Sequence, residues 1–182
     1  MHWAAAAVLI GAAAVWLGVR ARRSANEQPR VLVGQEVRDE KLKLSFRPPV
    51  NWELKPMPQD VRRSVVSGQP LAALYFEGTR PGDFCTLIVV DSDQSLEWMA
   101  LQALNNQPAQ AQPVQKSRFF ELNGLRAWGC EWIVQHQAVI HQLHVLVQRG
   151  SRRVAITYGA AQTSYRRQQR AISASLRSLT FW

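Results

Sequence analysis

Asn123-Gly-Leu-Arg-Ala-Trp-Gly-Cys-Glu-Trp-Ile-Val-Gln135 and, three residues on, Ala138-Val-Ile-His-Gln-Leu-His-Val-Leu-Val147 decide the fold. Asn123-Gly124, Gln135-His136-Gln137 and Gly150 punctuate neighbouring runs rich in Trp, Val, Ile and Leu, the pattern of consecutive antiparallel strands joined by tight turns. With period-2 alternation, Trp128, Cys130, Trp132 and Val134 share one face, and Val139, His141, Leu143, Val145 and Val147 share another. His141 and His144, three apart on one strand, point to opposite faces and cannot jointly hold a metal.

Working outward, Lys116–Leu122 reads as the strand before this hairpin, and Val154, Ile156 and Tyr158 as the strand after it. Gly159–Thr163 reads as a turn. Tyr165, Ile172, Leu176 and Leu179 then recur at helical spacing, with Arg166, Arg167, Arg170 and Arg177 filling the rest of the helix. Upstream, Asn105–Pro113 is a polar, breaker-rich loop. Leu96, Met99, Ala100, Ala103 and Leu104 form the apolar stripe of an earlier helix, and Asp91-Ser-Asp-Gln-Ser95 supplies its N-cap candidates. No Gly and Glu follow Asp91 and Asp93 at the offsets of a calcium loop, so capping is the better reading. Pro70–Phe76 and Phe84–Val90 are apolar on both faces, which marks strands covered on each side. Leu42, Leu44 and Phe46 alternate with Lys and Ser until Pro48-Pro49 stops them, and Trp52–Lys55 restarts an extended run with Trp52 filling a core corner.

The N-terminus differs in kind. Trp3–Val19 is 17 residues without a charge, with a Trp near each end. As a helix it spans about 25 Å, the short edge of what crosses a bilayer core of roughly 30 Å. No cationic segment precedes it, so an uncleaved single-pass anchor is expected rather than a cleaved signal. Arg20, Arg22 and Arg23 follow directly, and the positive-inside rule then keeps the domain on the cytoplasmic side of a bacterial-type inner membrane, with an extracytoplasmic domain as the alternative. The expected layout is an anchor with its arginine flank over 1–23, a linker over 24–40 and one α+β domain over 41–182.

The chemistry of the chain is sparse. Cys85 and Cys130 match no zinc or redox spacing, leaving two buried thiols or a disulfide. No nucleophile, metal cluster or phosphate loop stands out, and no cofactor or metal is expected. Charge is more informative. Residues 1–106 carry 12 Lys and Arg against 11 Asp and Glu, whereas residues 107–182 carry 10 against 2. Arg outnumbers Lys 18 to 4, which suits bidentate contacts to phosphate or carboxylate.

A strand leading into Pro49-Val-Asn-Trp52, paired apolar strands, a helix, a three-strand antiparallel run with an Asn-Gly hairpin, and a closing helix ending in Leu176-Arg-Ser-Leu-Thr-Phe181 together resemble the PsbP-like superfamily over roughly Lys41–Trp182. The usual Gly before the Trp is replaced here by Asn51, a residue that also tolerates turn conformations. The resemblance implies an antiparallel sheet sandwiched between helices. It also implies docking rather than catalysis, since photosystem II extrinsic proteins, DcrB-like domains and a nuclear import factor share the fold.

The expectation is therefore a membrane-anchored, non-catalytic binding domain. Its candidate basic surface is Arg149, Arg152, Arg153, Arg166, Arg167, Arg170 and Arg177, and its partner is a protein or an anionic membrane surface. A nucleic-acid-binding basic domain is the alternative from another class, lacking a recognised motif. An enzyme is the third, lacking a nucleophile, base and acid in any recognised arrangement. Oligomeric state is not legible.

Overall fold

The computed structural model describes residues 31–59, 70–107, 110–135 and 138–182. The chain divides into two compact units, Met1–Val31 and Leu32–Trp182, and the second holds every strand and helix named here. The expected anchor lies outside the described residues, and among those described no helix is long and apolar enough to cross a membrane.

Seven strands make one antiparallel sheet. In chain order they are β3 (Glu53–Lys55), β4 (Ala72–Glu77), β5 (Phe84–Asp91), β6 (Ala111–Leu122), β7 (Leu125–Gln135), β8 (Val139–Arg149) and β9 (Arg152–Ala161), in the spatial order β3-β4-β5-β9-β8-β7-β6. A smaller sheet, β1-β2-β10, joins β1 (Val37–Asp39), β2 (Leu44–Phe46) and β10 (Thr180–Phe181). Helix α1 (Leu96–Asn105) and helix α2 (Gln162–Arg177) complete the domain. The expected strand, helix and hairpin order is present, and α1 and α2 lie on opposite faces of the large sheet.

Alternation along the central strands builds two cores. Cys85, Leu87 and Val89 of β5, Val145 and Val147 of β8, and Val154, Ile156 and Tyr158 of β9 point to one face, where they meet Tyr165, Ile172 and Leu179 from α2 and its tail, and Leu44 and Phe46 from β2. Ile88 and Val90 of β5, Trp128, Cys130 and Trp132 of β7, and Leu146 of β8 point to the other face, under Leu96, Met99 and Ala100 of α1. Each fully buried Leu, Ile or Val contributes about 1.5–3 kcal/mol relative to leaving it in water, so the double-sided apolar run of β5 is the strand most committed to the centre. Ser95 caps α1, its Oγ accepting from Trp98 N–H at 3.1 Å.

Four local readings change. The domain begins upstream of Lys41: Gly34 N–H donates to Pro48 C=O at 2.8 Å, and β1, inside the expected linker, pairs with β2. Its pattern is too short to show a period. Strand β6 starts at Ala111, inside the expected loop, and accepts Pro113 because an edge strand has one side free of ladder bonds. Gly159–Thr163 is not a turn; β9 runs through Ala161 directly into α2. Thr180–Phe181 leaves the closing helix and pairs with Ser45–Leu44 as β10. Asn51 holds φ at +65°, the conformation a Gly would take before Trp52, whose ring packs 6.4 Å from Tyr158.

Cys85 and Cys130 are both free and buried. They lie on opposite faces, on β5 and β7 with β9 and β8 between them, a separation of about 14 Å at the usual strand spacing and beyond the reach of a disulfide. Loss of hydration raises both thiols, Cys130 to about 12, so neither supplies a thiolate.

Candidate docking face

Helix α2 and the small sheet form a single outer layer on one side of the large sheet, because both pack on the same buried cluster. A chain of hydroxyls stitches this layer down: Tyr158 Oη donates to Ser175 Oγ at 3.0 Å, and Ser175 Oγ donates to Arg47 C=O at 2.6 Å. Asn123 at the hairpin turn has φ of +52°, followed by Gly124 at +77°, as a type I′ turn requires. Its Nδ2 donates to Arg177 C=O at 2.9 Å and Leu179 C=O at 2.7 Å, satisfying carbonyls that the end of α2 leaves open.

The layer is cationic. Residues 36–47 and 162–182 carry eight Lys and Arg against three Asp and Glu. All three acids lie among residues 36–40, where Glu36 pairs with Arg47 at 3.1 Å and Glu40 with Arg38 at 2.7 Å. Helix α2 has no acid at all. Arg166, Arg167, Arg170 and Arg177 are exposed on it, with no carboxylate partner among the described residues.

The seven expected arginines do not form one patch. Arg166, Arg167 and Arg170 lie near the start of α2, and Arg177 lies at its end, about 16 Å along the helix axis from Arg166. Arg149 and Arg152, directly opposite each other across the β8–β9 turn, spend donors on the small sheet. Arg149 donates to Lys43 C=O and Trp182 C=O, both at 3.3 Å, and packs over the Phe181 ring; Arg152 donates to Leu42 C=O at 2.5 Å. With Gly150 and Ser151 they line a shallow hollow of about 430 Å³. Arg153 leaves the surface. It is 4% exposed, points to the α1 side, and gives Gln94 C=O two bonds at 3.0 and 2.6 Å and Gly150 C=O one at 2.6 Å. It ties the loop before α1 to the sheet.

The histidines divide as the strand period requires. His141, on the α2 face, hydrogen-bonds Glu131 at 2.9 Å and stacks on Tyr165 with centroids 3.5 Å apart and planes 4° from parallel. His144, on the α1 face, accepts from Thr157 Oγ1 at 2.9 Å and donates to Gln142 Oε1 at 3.0 Å, an oxygen that also accepts Trp132 Nε1–H at 3.0 Å. Loss of hydration pushes His144 down to about 3 and keeps the imidazole neutral. Among the described residues no group of His, Cys, Asp and Glu has the arrangement of a metal site. Sequence reading missed the His141–Glu131 pair, the Asn123 brace and the burial of Arg153, since each depends on a partner that only the folded chain supplies.

No family model and no curated protein matches this chain. Solved structures do. Cyanobacterial PsbP (CyanoP) from Synechocystis sp. PCC 6803 superposes with a TM-score of 0.59 at 12% identity, covering 85% of this chain and 95% of the other. LpqN, involved in cell envelope biogenesis of Mycobacterium tuberculosis, gives 0.54 at 15% identity over 80% of this chain and 88% of its own. PA94 from Pseudomonas aeruginosa, a putative regulator of unknown function, gives 0.50 at 11% identity over 80% and 95%. The likeness first carried by Pro49-Val-Asn-Trp52 and the closing helix holds at the level of architecture: this chain has the PsbP-like fold.

Proposed function

We propose that this protein is a membrane-tethered, non-catalytic docking domain whose α2 layer rests on the anionic surface of the bilayer that holds its N-terminus. The observation that carries the reading is the exposed set Arg166, Arg167 and Arg170, without carboxylate partners among the described residues. The layer that presents them also receives the incoming chain, since Leu32 C=O accepts from Val50 N–H at 3.1 Å beside the small sheet.

The magnitudes fit a tethered contact. Each arginine near an anionic surface gains about 1 kcal/mol, so three give about 3 kcal/mol, weak for a free domain. Residues 20–31, twelve in number, separate the apolar stretch from the folded unit, a reach of at most about 40 Å. A tether of that length supplies an effective concentration of order millimolar, enough to make weak contacts persistent. An acidic protein at the same surface is the competing occupant. Anchoring through Trp3–Val19 and the cytoplasmic side belong to this proposal; labelling of Ser24→Cys by an impermeant reagent in intact cells would move the domain outside.

Co-sedimentation of residues 31–182 with vesicles at about 10 mM accessible lipid, where a contact of about 3 kcal/mol is measurable without the tether, tests the lipid contact. Binding to about 30% anionic vesicles at low salt, lost at high salt as screening shortens the reach of the charges, is expected. Replacing Arg166, Arg167 and Arg170 together by Gln should abolish it. Equal binding to neutral vesicles, or none at low salt, overturns the reading.

A further inference from the structure

Asp83 is 2% exposed and lies under α2. Its loop fixes it there: Gly78 N–H donates to Asp83 C=O at 2.8 Å, Asp83 N–H donates to Arg80 C=O at 3.0 Å, and Gly82 takes φ of +85° to close the turn. Asp83 Oδ2 accepts from Gln168 Nε2 at 2.6 Å. The other two oxygens of this pair, Asp83 Oδ1 and Gln168 Oε1, are both buried and without a hydrogen-bond partner. Buried polar atoms are seldom left so. Turning the Gln168 amide over does not help: it carries the N–H from Oδ2 to Oδ1 and sets Oε1 against Oδ2, so one pair of acceptors still faces each other. A proton on Asp83 Oδ1, donated to Gln168 Oε1, would satisfy both oxygens at once.

We propose that Asp83 is held in the folded domain as the neutral acid, its Oδ1–H donating to Gln168 Oε1 while its Oδ2 accepts Gln168 Nε2–H, so that a reciprocal acid–amide pair latches α2 to the sheet. The surroundings agree. Burial raises the Asp83 carboxyl above its ordinary value; the Gln168 bond, the Arg80 charge and the nearby Ala161 and Arg80 backbone N–H groups, neither in bonding geometry with Oδ1, oppose this and are outweighed. Arg80, on Asp83's own loop, is the charged side chain acting on it. From the other elements come Gln168 of α2, the Trp52 indole beside Gly78 and Ile140 of β8 against Gly82. Tyr165 is turned onto His141, and Arg167 is exposed. A carboxyl raised in the fold contributes stability that is full below the unfolded value of 3.8 and is lost as pH rises through the folded value. The latch stands on the Asp83–Gln168 geometry and holds whether or not α2 meets a bilayer.

The test is a pH titration of the Asp83 carboxyl carbon by NMR in the full chain, with backbone amide exchange of α2 in parallel. Expected is a midpoint above 3.8, each unit of elevation corresponding to about a tenfold fall in the folding constant from acid to alkaline pH. Asp83→Asn supplies the second donor without a proton. It should match the wild type at pH 4 and, at pH 8, raise protection of the α2 amides about tenfold per unit of that elevation. An Asp83 midpoint at or below 3.8, or protection lost equally at both pH values in the variant, overturns the proposal. If the variant fails to fold, the wild-type titration decides alone.

Discussion

The two faces of the large sheet are built from the same strands and covered in different ways. On the α1 face a single ten-residue helix sits on Trp128, Trp132, Ile88 and Leu146, and the helix with its leading loop carries two acids, Asp93 and Glu97, and no base. On the α2 face a longer helix and a second sheet share the cover, tied down by hydroxyls, Asn123 and Asp83, with a cationic exterior. On the α1 face the polar ties, Arg153 to Gln94 C=O and Arg126 to Glu97, meet only the leading loop and first turn of the helix, whereas on the α2 face they hold the helix at its middle and end, through Gln168, Ser175 and the Arg177 carbonyl. Under the proposed docking role, the difference amounts to a division of labour between a stabilising side and a presenting side.

The largest expected effect tests that division directly. Trp128→Ala removes a side chain that is 2% exposed at the centre of the α1 face and should cost about 3–5 kcal/mol in chemical denaturation. Arg166→Gln on the other face should shift stability by no more than about 0.5 kcal/mol. Comparable losses from the two would break the comparison.

Proton linkage separates the faces next. His144, depressed from 6.5 to about 3, contributes stability that is present above 6.5 and lost as pH falls toward 3. The loss runs at about 1.4 kcal/mol per pH unit while the folded imidazole stays neutral and the unfolded one is charged. His144→Gln should flatten the acid limb of the stability curve. Asp83 on the α2 face has the opposite sign, so a second slope of reverse direction should remain in that variant. An unchanged acid limb would show that His144 is hydrated and free to charge.

A smaller effect is expected at Arg153. Arg153→Met keeps the stem and removes the bonds to Gln94 C=O and Gly150 C=O, a loss of about 2–3 kcal/mol for a charge-assisted set. Vesicle binding should be unaffected, because this arginine is buried away from the α2 layer. Weaker binding at full folding would restore Arg153 to the candidate surface.

Much of the architecture was legible because it rests on periodicity. Alternation in β7 and β8 by itself assigns Trp128 and Val145 to opposite faces, and the 3–4 spacing of Tyr165, Ile172 and Leu176 marks α2. Short strands were not legible: β1 and β10 have three and two residues, and only their neighbours hold them extended. The candidate surface was legible as a composition and not as a place. Seven arginines close in sequence fall into an exposed helical group, two ties across a turn and one buried brace, according to which carbonyls lie within reach.

The smallest effect isolates one such tie. Asn123 serves the hairpin twice, through its positive φ and through Nδ2 bonds to Arg177 and Leu179 carbonyls. Asn123→Gly keeps the backbone conformation at no steric cost and deletes only the bonds, so its loss of about 1 kcal/mol measures the brace. Asn123→Ala deletes the bonds and strains the turn, adding about 1 kcal/mol. If the brace fixes the end of α2, Asn123→Gly should speed amide exchange at Leu176–Leu179 while leaving the β6–β7 amides protected. Equal loosening of both would mean that the asparagine acts through its turn, and that the end of α2 is held by the Leu179 core contact instead.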